Sequence, residues 1–319
     1  MSWLWRVQKP KSPIIPANPK DRTGTGKLVA KALRDINSRF ENLGAAVVSA
    51  FLRIPRYELN DAAGQVIRYA MTPAQLSQVA AEIQEAVIRW IAEGKSLDGM
   101  FWWDSYIDEA TQTGIAQSVA NLSALSASYA ATTTVQSVLS QPIYTERLGV
   151  AKFKSYEHWT GLSAQLKSEL SSIIGRAVTD GKNPRDVTRE ISERLEVSKA
   201  KAAQYAQTDI TDTLRQTRWA ETDRVGADLG IKVALLWTSA LKATTRETHA
   251  AKHGRAYTTS EVREFYGRDG NRYNCYCSQI ECLIDAKGKP LLPDSRRISL
   301  TQERGAWQLA DGKRRAGSS

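Results

Sequence analysis

The sequence feature that most constrains the fold is the helical spacing of the apolar residues. In segment 28–54 they recur at steps of three and four, which places them on one face of a helix. Thr72 followed by Pro73 is a favourable helix start, because threonine caps the first turn and proline is tolerated there. A further helical pattern follows the aromatic stretch FWWDSY at 101–106. Adjacent tryptophans beside such a pattern are typical of a core, although a docking patch is the alternative.

The second half of the chain is also predicted to be mainly helical. Segment 142–154 reads as a junction, and a helix is expected over 162–177. The turn residues DGKNP then end this helix. A shorter helix is predicted over 184–195, and a long one from 198 to the glycine at 230.

The apolar period changes from helical to alternating in two short segments. IKVALLWT at 231–238 and SQIECLID at 278–285 place apolar residues at every second position, which indicates strands. We therefore predict a mainly α protein with an elongated helical body, a small α+β C-terminal domain and extended terminal arms.

The net charge of +10 lies almost entirely in the two arms. Residues 1–27 contain six basic residues against one acidic residue, and residues 296–319 contain six against two, so the body is nearly neutral. Basic arms bind polyanions such as nucleic acid, or act only as solvated tails that aid solubility. The basic residues concerned are Arg6, Lys9, Lys11, Lys20, Arg22 and Lys27, and then Arg296, Arg297, Arg304, Lys313, Arg314 and Arg315.

The first arm is rich in proline and has two tryptophans near its start. Prolines recur at every third position from 10 to 19, which favours extended backbone that can lie along a partner. Trp3 and Trp5 are large apolar anchors for such a contact. Both arms are expected to be disordered in isolation, because they offer little apolar area to offset the entropy of ordering.

Composition argues against several classes of protein. Three clustered cysteines are too few for a disulfide framework, so a reducing site of synthesis is expected. The stretch MSWLWRVQKPK lacks the apolar core of a signal peptide. The longest run of small and apolar residues, 44–52, is much shorter than the ~20 residues that span a bilayer, so no membrane association is expected.

Two histidines and two cysteines lie close together in the sequence. His249 and His253 would share one helical face, and Cys275 and Cys277 would share one face of an extended segment. Two nitrogen and two sulfur ligands would satisfy one structural zinc ion, with Cys282 as a substitute ligand. The C-x-C spacing is shorter than most zinc sites use. Alternatively, these are ordinary buried residues of a small domain.

The same residues give little indication of catalysis. The segment HAAKH lacks the glutamate that metalloproteases place after the first histidine. A Cys–His nucleophile pair needs a third, orienting group, and nothing in the sequence marks Asn274 as one. GTGK at 24–27 lacks the first half of a phosphate-binding loop. We therefore do not predict an enzyme.

In their order, these features resemble a known family. A helix containing AQTDITDTLRQTRWAETDRVGADLG leads to a strand ending in tryptophan, then to TTRETHAAKHGRAY, and then to NCYC. This order resembles the C-terminal domain of the Mu F-like family of phage head-morphogenesis proteins, over about residues 160–285. The residues that match the family motif are Arg246, His249, Gly254, Cys275 and Cys277.

The chain departs from the family pattern at three places. Gln207, Thr208 and Asp209 stand where R-T-E is usual, and Tyr276 replaces the arginine between the paired cysteines. Lys242 and Ala243 occupy the place of an expected aspartate. If that aspartate has a catalytic or ligand role in relatives, this chain lacks the residue that performs it.

The resemblance implies a division of the chain and a virion role. We expect a basic proline-rich arm at 1–27, an N-terminal helical domain at 28–150, a Mu F-like domain at 151–292 and a basic C-terminal tail at 293–319. The family implies a minor head (minor capsid) protein of a tailed phage, made in the host cytoplasm and located in the capsid interior or at the portal vertex. It would act in head morphogenesis and in DNA packaging or delivery.

The resemblance also implies partners. These are the portal protein, the major capsid or scaffold protein, and packaged DNA bound through the basic arms. The alternative function is that of a zinc-stabilised nucleic-acid-binding protein, and a hydrolase or nuclease is a weaker third hypothesis.

Overall fold

The computed structural model describes residues 11–61, 64–92 and 101–316. Within these ranges the chain is mainly helical and contains a two-stranded hairpin and a small three-stranded sheet. The predicted mainly α fold with a small α+β region is confirmed. None of the helices in the described ranges is long and apolar enough to cross a membrane.

The elements follow the chain in this order. The first part contains α1 (Gly26–Leu52), β1 (Arg56–Asp61), β2 (Gly64–Tyr69), α2 (Pro73–Val87) with a π-helical turn (Ile88–Ala92), α3 (Asp104–Leu125), α4 (Ala127–Thr132) and α5 (Val135–Leu139). The second part contains α6 (Pro142–Asp180), α7 (Pro184–Leu229), β3 (Val233–Thr238), α8 (Glu247–Ala251), β4 (Ala256–Tyr257), α9 (Thr259–Gly267), β5 (Ser278–Leu283) and α10 (Asp294–Ala316). The predicted helix start at Thr72 is confirmed, since its side chain accepts a hydrogen bond from the Gln75 amide in a capping box.

Helices α6 and α7 are longer than the sequence predicted. The expected junction at 142–154 is wrong, because Pro142 opens α6 and the helix runs on through that segment. Proline is compatible with the first helical turn, where an amide hydrogen would have no intrahelical partner. The expected break between residues 195 and 198 is also wrong, because α7 is continuous there. Leu195 and Ser198 are both buried, so packing holds this part of α7 together.

The chain forms two compact units, and neither is continuous in sequence. The first unit contains Met1–Leu28, Ile107–Gly149 and Gln207–Ser319. The second contains Val29–Tyr106 and Val150–Ala206. The sequence-based division, in contrast, placed whole domains one after another.

The second unit is built around an aromatic core. The ring of Trp159 on α6 lies 4.8 Å from that of Trp102 and 5.1 Å from that of Trp103. All three indoles are buried, so the adjacent tryptophans are core residues and not a docking patch. The guanidinium of Arg39 lies 3.9 Å from the Trp102 ring centre, a cation–π contact that closes this cluster.

The first unit contains the three-stranded sheet, in the order β4-β3-β5 with antiparallel pairing. The side chain of Glu281 on β5 is fully buried and accepts hydrogen bonds from Ser118 and Asn121 of α3 and from Arg218 of α7. A buried carboxylate is tolerated only with partners of this kind. This network joins the sheet to α3 and α7.

The described parts of both terminal segments are packed into the first unit. Residues 294–316 form α10, and its Leu300 and Trp307 are buried. In the first segment the Ile14 amide donates to Asn121 Oδ1 at 2.7 Å, and the buried Arg22 pairs with Glu303 of α10. The prediction of an extended, disordered tail is wrong for residues 294–316, which form a helix with buried apolar side chains. Residues 11–25 contain no helix or strand, as an extended arm requires, but the contacts above hold them within the first unit.

Several predicted arm residues fall outside this description. Trp3, Trp5, Arg6 and Lys9 lie outside the described residues, as do the side chains of Arg314 and Arg315. Of the others, Lys11, Lys20, Lys27, Arg297 and Lys313 are exposed, whereas Arg296 is half-buried and its Nε donates to Ser12 Oγ at 3.3 Å.

Candidate metal centre

Helix α8 is fixed against the end of β3 by one serine. The Ser239 hydroxyl accepts a hydrogen bond from Trp237 Nε1 at 3.1 Å and donates to the His249 carbonyl at 2.6 Å. Trp237 is the last large residue of β3, so these two bonds position the short helix. They place the His249 side chain in the buried interior of the first unit.

The segment that follows α9 is held opposite His249 by two arginines. Arg246, which precedes α8, donates to the carbonyls of Asn271 at 3.1 Å and Tyr273 at 3.0 Å. Arg215 of α7 donates to the Cys275 carbonyl at 3.3 Å. The position of this segment brings its two cysteines to the imidazole.

His249, Cys275 and Cys277 form a compact buried cluster. His249 Nδ1 lies 3.4 Å from Cys275 Sγ and 3.7 Å from Cys277 Sγ, and the three atoms lie within 4.8 Å of one another. Both cysteines are free thiols. Three of the four residues predicted as ligands are therefore together.

The other predicted ligands lie elsewhere. The Ser239 amide donates to His253 Nδ1 at 2.9 Å, and His253 Nε2 faces Glu303 Oε2 at 3.4 Å. Burial lowers the pKa of His253 to about 4, so its ring is neutral near pH 7. Cys282 lies on β5 in a separate apolar cluster with Leu236 and Leu300, and burial raises the pKa of its thiol to about 12.

The family-motif glycine has a backbone role. Gly254 has a φ of +78°, in the left-handed region that favours glycine, and its amide donates to the Trp237 carbonyl at 2.9 Å. A Cβ at this position would lie 3.1 Å from Leu300 Cβ. Gly254 therefore permits both the turn after α8 and the close approach of α10.

Asn271, which sequence reasoning missed, orients the histidine. Its Nδ2 donates to the Phe265 carbonyl at 3.0 Å, which turns Oδ1 toward His249 Nε2 at 3.2 Å. Arg246 Nη1 also lies 3.4 Å from Nε2, but it donates to the Asn271 carbonyl at the shorter distance of 3.1 Å. Because Asn271 Oδ1 can only accept, we assign the proton to Nε2, and Nδ1 then presents its lone pair to the two sulfur atoms. No sequence signal marks this residue, since asparagine is ordinary in a turn.

The two thiols differ in acidity. A hydrogen bond from Cys277 lowers the pKa of the Cys275 thiol well below its ordinary value, with the nearby Arg215 and His249 acting in the same direction against burial. Donating that bond, together with burial, raises the pKa of Cys277.

A cavity of about 130 Å³ opens beside the cluster. The residues around it are Lys242, Thr244, Thr245, Arg246, His249, Asn274, Cys275, Tyr276 and Cys277. Lys242 Nζ lies over the Tyr276 ring, and Lys242 and Arg246 give the lining of the cavity a cationic character. The arrangement can bind a soft metal ion and leaves room for a small ligand.

Cys275, His249 and Asn271 also have the order of a cysteine–histidine–asparagine triad. The sequence provided no orienting group for a nucleophile, and the structure supplies one in Asn271. However, the second sulfur atom, of Cys277, is almost as close to the same imidazole nitrogen. A paired sulfur is a feature of metal ligation and has no part in a triad.

The region that contains this centre is similar to a known protein family. Residues 168–280, roughly a third of the chain, match the family model described as "Phage Mu protein F like protein". The matched range includes every residue of the motif, from Arg246 to Cys277. No curated protein and no solved structure matches the chain.

Proposed function

Because residues 168–280 belong to the phage Mu protein F-like family, which suggests head morphogenesis, we propose that the chain is a minor head protein associated with the portal. The observation that supports this proposal is the family match itself, with all five motif residues present at their expected order. A location in the phage particle follows from the same match.

The roles of the motif residues favour a structural protein over an enzyme. Arg246 donates to two backbone carbonyls, and Gly254 permits a turn against α10. Both roles maintain the fold of the first unit and involve no substrate. We therefore propose that the residues of the family motif maintain the fold of the first unit, and that the chain functions by assembling with other proteins of the phage head.

We further propose that the protein docks on the portal and on the major capsid or scaffold protein through its folded units, and meets packaged DNA through exposed lysines. Arg22 is buried and paired with Glu303, so its guanidinium is not accessible to DNA phosphate. Lys11, Lys20 and Lys27 are exposed and remain accessible to phosphate. DNA contact of this kind has little sequence preference and weakens as salt rises.

Particle analysis tests the proposed location. The gene would be deleted in its phage and supplied again on a plasmid, and purified particles would be analysed by quantitative mass spectrometry and cryo-electron microscopy. We expect the protein at low copy number beside the portal, and defective heads in its absence. Normal infectious particles without the protein would refute the proposal.

Charge variants separate docking from DNA contact. Replacing Lys11, Lys20 and Lys27 by glutamine should leave incorporation unchanged and weaken DNA binding at low salt, whereas arginine at the same positions should preserve both. Loss of incorporation in the glutamine variant would move the docking surface to the first segment.

A further inference from the structure

We propose that His249, Cys275 and Cys277 bind one zinc ion, through His249 Nδ1 and two thiolates, and that its fourth coordination position opens into the adjacent cavity. This inference concerns the folded unit itself and is independent of the head role proposed above. It replaces the four-ligand site predicted from the sequence with three protein ligands and an exchangeable one.

The distances match a tetrahedral ion. With a Zn–S bond of about 2.3 Å and a Zn–N bond of about 2.0 Å, tetrahedral geometry separates nitrogen and sulfur ligands by about 3.5 Å. The two observed separations from His249 Nδ1, 3.4 Å and 3.7 Å, lie on either side of this value. An ion at the centre of the group therefore needs little movement of the side chains.

The imidazole is prepared for ligation by its outer partner. Asn271 Oδ1 accepts a hydrogen bond from the protonated Nε2 of His249. The unprotonated Nδ1 therefore faces the sulfur atoms with its lone pair. Zinc-binding histidines commonly donate their other ring nitrogen to an oxygen acceptor in this way. The tautomer is therefore the one that a metal requires.

The ligand set favours zinc, and its burial is compatible with a bound ion. Two sulfur ligands and one imidazole select a soft or borderline metal over magnesium or calcium. A divalent ion with two thiolates and a neutral imidazole has no net charge, so burying the complex avoids the cost of an isolated charge. The three residues are each at most 5% exposed.

The fourth position has no protein ligand among the described residues, where the group contains only these three side chains. His253 is held by Ser239 and faces Glu303, and Cys282 belongs to the other apolar cluster. The ligand residues do, however, line the cavity of about 130 Å³. This space accommodates a water molecule, and its cationic wall at Lys242 and Arg246 favours exchange for a small anion.

Metal analysis of the full-length protein tests the ligand set. Protein produced in zinc-supplemented medium and purified without chelators should contain about one zinc per chain by plasma mass spectrometry. His249→Gln and the double variant Cys275→Ser/Cys277→Ser should lose at least about nine tenths of it. The matched controls His253→Gln and Cys282→Ala should retain it. Wild-type protein without zinc, or a double variant that retains zinc, would overturn the proposal.

A milder variant tests the role of the outer partner. Asn271→Ala should weaken zinc affinity by about tenfold or more in competition with a chromogenic chelator. Arg272→Ala is the control, because its neighbouring side chain pairs with Asp212 of α7 and not with the histidine. Equal affinities in the two variants would contradict the orientation assigned to His249.

Cobalt substitution of the wild-type protein tests the open position and remains decisive if a variant fails to fold. Cobalt-loaded protein should show thiolate-to-metal absorption, and added azide should shift its visible bands. Bands that do not respond to azide would show that the protein supplies a fourth ligand. Zinc added to metal-free protein should protect Cys275 from alkylation by iodoacetamide, because the metal occupies the sulfur lone pair. An alkylation rate that zinc does not change would reveal a nucleophilic thiol and refute the zinc site.

Discussion

At the scale of single residues, Gly254 illustrates how a motif position can be set by backbone geometry. Gly254→Ala should destabilise the protein by about 1–3 kcal/mol, because alanine is strained at this φ and its Cβ would press on Leu300. Gly288→Ala is a matched control, since Gly288 has a φ of +76° but open space around the added Cβ. Chemical denaturation of both variants measures the difference, and equal losses would show that the contact with α10 is unimportant.

His253 links the stability of the first unit to pH. Burial lowers its folded-state pKa from 6.5 to about 4, with Arg22 and Arg304 adding repulsion and Glu303 opposing it. The unfolded chain therefore binds more protons between pH 6.5 and 4, so this contribution to stability is complete above the unfolded pKa and is lost as pH falls through that window.

The loss of stability that His253 causes on acidification can be measured. Acidification from pH 7 to pH 5 should cost about 2 kcal/mol through His253 alone. Denaturation of wild type and of His253→Gln at both pH values isolates this share, because the other titrating groups are common to both proteins. An identical pH dependence in the two proteins would show that His253 does not titrate in this way.

At the scale of secondary-structure elements, the buried Glu281 joins β5 to α3 and α7. Glu281→Gln should cost about 3–5 kcal/mol, because it leaves the fully buried Arg218 without its charge partner. Glu264→Gln is the control, since its ion pair with Arg268 is largely exposed to solvent. Urea denaturation compares the two, and a near-neutral Glu281→Gln would mean that the network adds little to stability.

Helix α10 provides a second prediction at this scale. Trp307→Ala should cost about 3–5 kcal/mol, because the indole is buried and donates to the Lys242 carbonyl at 2.9 Å. Leu309→Ala, at a position 73% exposed on the same helix, should change stability little. Thermal denaturation distinguishes them. If both changes were neutral, α10 would not be packed in solution.

The elements show where sequence patterns are sufficient and where they are not. The apolar stripe of α1 was readable because one face of that helix is buried and apolar. Strands β3 and β5 are buried on both faces, and the alternation of β5 was readable because its second buried face has the polar residues Gln279 and Glu281. The helix over the middle of α7 was predicted, but its buried face was not, because a polar stripe at helical spacing faces the interior there. Its members are Thr208, Thr211, Arg215, Arg218 and Thr222. Periodicity interprets such a stripe as a solvated face.

The candidate site was predicted only in part, because sequence spacing does not show which residues distant in sequence come into contact. Ligand chemistry identified His249, Cys275 and Cys277, but spacing alone also selected His253, which the turn at Gly254 directs toward α10. In α10, Leu300 and Trp307 lie seven residues apart among many charges, so composition suggested a tail. Contacts distant in sequence decided both cases.

At the scale of the whole molecule, the discontinuous units limit where the chain can be cut. Fragment 151–319 should not fold cooperatively, because it lacks Ser118 and Asn121, which bind Glu281, and Tyr129 and Tyr144, which bind the buried Glu221. Fragment 107–319 retains these partners and should keep a cooperative transition. Circular dichroism during thermal denaturation compares them, and a sharp transition in the shorter fragment would refute the assignment of 107–149 to this unit.

The ion pair between Arg22 and Glu303 joins residues 281 positions apart in sequence. On the ribosome, the segment around Arg22 leaves the exit tunnel long before Glu303 is translated. The second unit has all its residues once Ala206 has emerged, whereas the first unit must wait for α10. The order of synthesis therefore gives the two units different folding times, and the segment around Arg22 stays accessible to chaperones until translation is nearly finished.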